Sequence, residues 1–147
     1  MSLESQIQQD IKAAMLAKEK TRLESLRGIK AAILLAKTAD GSDSIADEAI
    51  IKIIQKLVKQ RKETAQIYID QNRQELAENE LAEAACMEVY LPKQLSEQEI
   101  ETELKAIIAT LGASGPQDMG KVMGTATKQL AGKADGRIIS TLVKKLL

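Results

Sequence analysis

The sequence predicts an all-α protein, with a four-helix N-terminal bundle over residues 1-92 and a small three-helix C-terminal domain over residues 93-147. Three observations lead there. Apolar residues recur at helical spacing in one segment after another, and no segment alternates apolar with polar as a half-buried strand would. The chain has 147 residues with no Phe or Trp and two Tyr, so its core must be Leu, Ile, Val, Ala and Met. Chain breakers come late: six of the eight Gly follow position 111, and both prolines, Pro92 and Pro116, fall in the second half, which assigns the longer helices to the first.

The elements follow in order. Leu3, Ile7, Ile11 and Ala14 share one helical face. Leu23, Leu26, Ile29 and Ile33 mark a second helix over 21 to 37, and the polar stretch Thr38 to Ser44, with Asp40-Gly41, reads as a loop. Ser44 followed by Asp47 resembles a capping box and predicts the start of a third helix, which carries Ile50, Ile54, Leu57, Val58, Ala65 and Tyr68. A fourth helix over 74 to 90 stops where Pro92 disfavours a helical conformation at Leu91, and the domain boundary is placed there. Ser96 and Glu99 form a second capping box before Ile100, Leu104, Ile107, Ile108 and Leu111, with Gly112 as the terminating glycine. Met119, Val122, Met123, Ala126 and Leu130 mark a sixth helix that stops at Gly132, and Asp135 caps a seventh bearing Ile138, Ile139, Leu142, Val143 and Leu146.

Composition excludes several kinds of function. With no His and only Cys86, there is no intrachain disulfide, no His-based triad, no haem histidine and no zinc site of mixed Cys and His ligands. The N-terminus lacks a basic segment followed by an apolar one, and no window approaches 18 apolar residues. These features predict a protein of the reducing cytoplasm, neither exported by a signal peptide nor membrane-spanning. The 21 basic and 21 acidic side chains balance, so an electrostatic partner has to be met by a local patch.

The residues that could carry chemistry are few. Cys86 lies among acids such as Glu83 and Glu88, a poor setting for a nucleophilic thiolate, and reads as a small core or boundary residue. Asp40, Asp43, Asp47 and Glu48 do not match a calcium loop, because Gly41 directly follows Asp40; no metal and no cofactor are expected, and no catalytic residue is assigned. Gly120 and Gly124 form GxxxG inside a predicted helix, where each glycine costs about 1 kcal/mol relative to Ala. Either close packing against another helix or approach of a phosphate backbone would account for them. Lys121 and Lys128 are seven residues apart and share a face, with Thr125 between. From Asp118 to Leu147 six bases (Lys121, Lys128, Lys133, Arg137, Lys144, Lys145) stand against two acids, an excess suited to phosphate contacts. The candidate nucleic-acid-binding residues are therefore Gly120, Lys121, Gly124, Lys128, Lys133 and Arg137. Neither Tyr68 nor Tyr90 lies in this segment, so base stacking would play no part and the RNA would be read by backbone and folded shape. A further basic stripe, Lys52, Lys56 and Lys59 with Arg61 and Lys62, reads as a water-facing side of the third helix.

Tyr90-Leu91-Pro92 with Gln94-Leu95, the run Asp118-Met119-Gly120-Lys121-Val122-Met123-Gly124, and Gly132-Lys133-Ala134-Asp135-Gly136 together resemble the YqeY family. That family is similar to the C-terminal tail of the B subunit of the tRNA-dependent amidotransferase, a tail that contacts the outer body of tRNA and holds none of the catalytic machinery. The resemblance implies an all-helical, two-part fold and a non-catalytic, tRNA-related role. It implies tRNA as partner, alone or beside an aminoacyl-tRNA or amidotransferase protein. It marks Gly120, Lys121, Gly124, Gly132, Lys133, Asp135 and Gly136 as the matched positions, with Pro92, Gly132, Asp135 and Gly136 structural. Two other functions are consistent with the sequence: a protein-interaction adaptor with an apolar groove between its two parts, and an amidotransferase-like enzyme subunit with glutamine as amide donor.

Overall fold

A computed structural model describes residues 1–147. It contains seven α-helices and no strand: α1 (Leu3–Leu16), α2 (Lys20–Asp40), α3 (Asp47–Asp70), α4 (Gln74–Glu88), α5 (Glu97–Leu111), α6 (Met119–Gln129) and α7 (Gly136–Leu146), with one 3₁₀ turn, Pro116–Asp118, before α6. The chain divides into two compact units, Met1–Leu91 and Pro92–Leu147. No helix is long and apolar enough to cross a membrane.

In the first unit the periodic residues meet. Ile7 and Ala14 of α1, Leu26, Ile29 and Ile33 of α2, Ile50, Ile54 and Val58 of α3, and Ala84 and Met87 of α4 form one buried cluster. Each helix presents residues three, four or seven apart, which is what places them on one stripe. Beyond that cluster α3 and α4 stay paired on the small buried residues Ala65 and Ala77, whose short side chains let the helices approach. Gly28 of α2 serves the same purpose, since a Cβ there would lie 3.3 Å from Arg61 Nη2 and 3.7 Å from Met87 Cε. Ion pairs join the helices at the rim: Lys37 to Glu4 at 2.6 Å, Arg61 to Glu83 at 3.2 Å and Lys62 to Glu88 at 2.6 Å. The Tyr90 hydroxyl donates to Asp10 Oδ2 at 2.5 Å and ties the segment after α4 to α1.

The local expectations for this unit are corrected in two places. α2 continues through Asp40, past the predicted end at 37, because nothing breaks it before Gly41, which takes the left-handed conformation at φ 64°. Ser44 does not cap α3: the helix starts at Asp47 behind Ala46, without a side-chain cap. The Ser42 hydroxyl instead donates to the Ser44 carbonyl, and the Asp47 carboxylate accepts the Leu3 N–H at 3.0 Å.

In the second unit α5, α6 and α7 each pack on both of the others. Ile100, Leu104 and Ile107, Val122, Ala126 and Leu130, and Ile139, Leu142 and Val143 make its core. The Ser96–Glu99 capping box is complete: the Glu99 N–H donates to Ser96 Oγ and the Ser96 N–H to Glu99 Oε1, each at 3.1 Å. Gly112 ends α5 in the left-handed region at φ 65°. α6 ends at Gln129, three residues before Gly132.

Candidate nucleic-acid interface

α6 is short and contains two glycines, so its position depends on its neighbours. At its start the Asp118 carboxylate accepts the Ser114 N–H at 3.0 Å, while the Asp118 N–H donates to the Gly115 carbonyl at 2.9 Å. Val122 and Ala126 point into the core and Met119 and Met123 are partly buried against it. The periodicity then sends Gly120, Lys121, Gly124, Thr127 and Lys128 to the solvent side, and all five are exposed.

The glycines decide how this face is read. A Cβ added at Gly120 or at Gly124 would meet nothing within 4 Å. Close packing of another helix of the second unit therefore does not account for the pair. What remains is a strip of bare helical backbone, with Lys121 and Lys128 along one margin about 10 Å apart by helical rise.

The other site residues are distributed as follows. Lys133 is exposed on the α6–α7 connection, and Arg137 is exposed in the first turn of α7, followed on the same face by Lys144. Each of the three helices buries its inner face against the other two, and these cations are all exposed on the outside of the unit. Two clefts of the chain lie in the first unit and include none of these residues. Lys144 and Lys145 also occupy the last turn of α7, where positive charge suits the helix dipole.

Much of the Gly132 to Gly136 segment is structural. Gly132 sits at φ 76°, a left-handed turn. Its carbonyl accepts from the Gln94 side-chain amide at 2.6 Å, and the Lys133 carbonyl accepts from the Leu95 N–H at 2.9 Å. Asp135 caps α7 by accepting the Arg137 N–H at 2.7 Å. Gly136 opens α7, exposed. Pro92 is half-buried and its carbonyl accepts from Gln94 at 2.9 Å. Gln94 is singled out in the sequence only as part of the Pro92 motif; that it links this motif to the Gly132 turn is a long-range contact with no trace in local spacing.

The α3 stripe is only partly water-facing. Lys52, Lys56 and Lys62 are exposed, whereas Lys59 and Arg61 are half-buried, the latter paired with Glu83. Cys86 is half-buried and free. No group of three or more His, Cys, Asp or Glu side chains is placed to hold a metal ion.

The family described as Yqey-like protein matches residues 4–147. This chain belongs to the YqeY family. Among its relatives, Altered inheritance of mitochondria protein 41, mitochondrial, from Kluyveromyces lactis is 31% identical over 137 residues, 90% of this chain and 69% of the relative. The protein of the same name from Pyrenophora tritici-repentis is 30% identical over 146 residues, 96% of this chain and 78% of the relative. The E subunit of the glutamyl-tRNA(Gln) amidotransferase from Thermococcus gammatolerans is 40% identical over 55 residues, 35% of this YqeY-family chain and 9% of the relative. The amidotransferase likeness is thus confined to a short part of that much longer polypeptide.

Proposed function

We propose that this YqeY-family chain is a non-catalytic helical module that engages structured RNA, specifically tRNA, through the outer face of α6 and the basic rim beside it. The observation that carries this reading is the pair Gly120 and Gly124, exposed with open space at each Cβ position and bordered by Lys121 and Lys128. Two helix-weakening glycines that neither α5 nor α7 packs on are accounted for by a partner that needs the backbone bare. The lysines give that partner negative charge, and Lys133 and Arg137 extend the contact to the start of α7. An aromatic-free basic surface suits phosphate contacts on a folded RNA better than base readout. The 55-residue likeness to a protein named for a glutamyl-tRNA(Gln) amidotransferase points the same way.

In this reading residues 1-92 and 93-147 are separate domains, the second carrying the RNA surface. The protein works in the cytoplasm, alone or beside an aminoacyl-tRNA or amidotransferase partner; the mitochondrial compartment in the relatives' names is stated of those proteins.

The test is tRNA affinity as a function of salt for the wild type and for a Lys121→Glu, Lys128→Glu, Lys133→Glu variant. The logarithm of wild-type affinity should fall linearly with the logarithm of salt concentration, with a slope of about −0.7 to −0.9 per phosphate neutralised, the range between single strands and B-DNA. The variant should lose retention and most of that slope, and equal binding by both proteins would remove the proposal.

A further inference from the structure

Threonines inside the other helices of this chain share one habit. Thr38, Thr64, Thr102, Thr110 and Thr141 each donate the hydroxyl to the carbonyl four residues earlier, at 2.9 to 3.0 Å. That back-bond occupies a hydroxyl that would otherwise need water or a partner. The two threonines of α6, Thr125 and Thr127, do not make it. Thr125 is half-buried, whereas Thr127 is exposed. Gly120, Gly124 and Thr127 stand at i, i+4 and i+7, so the exposed hydroxyl lies on the same line as the two bare glycines, with Lys128 next to it in the chain.

Charge and shape select the ligand. The second unit has six acids, and none lies on α6 or α7: Asp118 accepts the Ser114 N–H, Asp135 caps α7, and Glu97, Glu99, Glu101 and Glu103 belong to α5. The strip is therefore open to a polyanion. It holds no side chain longer than a threonine, so along its middle nothing reaches base edges, which is what a helix does in the major groove of DNA. The minor groove of B-DNA, about 6 Å wide, is too narrow for an α-helix about 10 Å across. The minor groove of A-form RNA is wide and shallow, and it displays ribose 2′-hydroxyls that both donate and accept. Bare helical backbone can lie against such a groove closely enough for a short hydroxyl to reach it.

Resting on the tRNA reading above, we propose that α6 engages a double-stranded, A-form segment of RNA through its minor groove, with the Thr127 hydroxyl hydrogen-bonded to a ribose 2′-hydroxyl and Lys121 and Lys128 on the phosphates that border the groove. Gly120 and Gly124 set the distance of approach. Thr127 is the specificity residue that separates ribose from deoxyribose, and the lysines supply affinity that does not.

The experiment uses the full chain, tRNA, and one duplex sequence prepared as RNA, as DNA, and as 2′-fluoro RNA, which keeps the A form but has no 2′-hydroxyl. Affinities are measured by fluorescence anisotropy at one fixed salt concentration. The wild type should bind the RNA duplex about fivefold tighter than the 2′-fluoro duplex, the factor given by one typical hydrogen bond, and tighter still than DNA. Thr127→Val, which keeps the branched shape, should remove the preference for RNA over 2′-fluoro RNA, and Thr127→Ser should keep it; helical circular dichroism checks that both variants are folded. A wild type that binds tRNA but holds the three duplexes equally, or binds none of them, overturns this inference and leaves the tRNA reading standing. So does a Thr127→Val protein that keeps the full preference. Failure to bind tRNA and every duplex removes both.

Discussion

The Gln94 side-chain amide donates to the carbonyl of Gly132 at 2.6 Å, across 38 residues of sequence, while also bonding the Pro92 carbonyl at 2.9 Å. Two motifs that look independent in the sequence are thereby one joint: the entry to the second unit is fastened to the left-handed turn between α6 and α7. The Leu95 N–H to Lys133 carbonyl bond closes the same joint.

Gln94→Ala should destabilise the chain by about 1 kcal/mol, the net worth of a typical hydrogen bond or slightly more. Gly132→Ala should cost about 1–2 kcal/mol, since a Cβ is strained at its positive φ of 76°. Urea unfolding would register both as a lower midpoint with unchanged slope. The double variant should lose less than the sum, because both changes weaken one joint.

Gly120→Ala and Gly124→Ala should each stabilise the protein by up to about 1 kcal/mol, because the added methyl enters open space on a helix. The same changes should weaken tRNA binding. Higher thermal stability combined with lower affinity is the signature of glycines retained for a partner, and it is measured by thermal melts and filter retention on the same samples.

Ser96→Ala should cost about 1 kcal/mol by removing the cap of α5. The pKa of Glu99 is lowered, first by the Ser96 backbone N–H, then by the Ser96 side chain and the positive charge of Lys93. Because its folded-state pKa is depressed, its contribution is complete above the ordinary carboxylate pKa of about 4.3 and is lost as the pH falls through the folded value. The stability difference between wild type and Glu99→Ala should therefore be flat near neutrality and shrink in acid, followed by urea titrations at stepped pH.

Tyr90→Phe should destabilise the first unit by about 1–2 kcal/mol, the range for a hydrogen bond to a carboxylate at a partly buried site. Burial, followed by the Asp10 hydrogen bond and charge, raises the phenol pKa. The bond is fully available below the unfolded tyrosine value of about 10, and its contribution declines as pH rises above that toward the folded value. Wild type and Tyr90→Phe should accordingly converge in stability on the alkaline side, not the acid side.

The helices and their inner faces are legible in the sequence because apolar spacing directly encodes which side is buried, as with Leu26, Ile29 and Ile33 or Ile100, Leu104 and Ile107. Caps that are purely local, Ser96–Glu99, Gly112 and Asp135, are legible for the same reason. Ser44 is misleading because a distant group intervenes: Asp47, its supposed partner, is engaged by the Leu3 backbone 44 residues away. The 3₁₀ turn at Pro116–Asp118 is too short to leave a periodic trace. At the candidate site, the shared face of Lys121 and Lys128 follows from their spacing. That Gly120 and Gly124 face open solvent does not, since GxxxG is equally compatible with a tightly packed neighbour.

The chain has no tryptophan, and both of its tyrosines, Tyr68 and Tyr90, lie within the stretch ending at Leu91. Near-ultraviolet and emission signals consequently arise from one half of the polypeptide alone, whereas peptide-bond dichroism arises from all seven helices. Overlaying the two melting curves asks directly whether the halves lose structure together, with no label introduced: coincident traces mean one cooperative event, and displaced ones mean two.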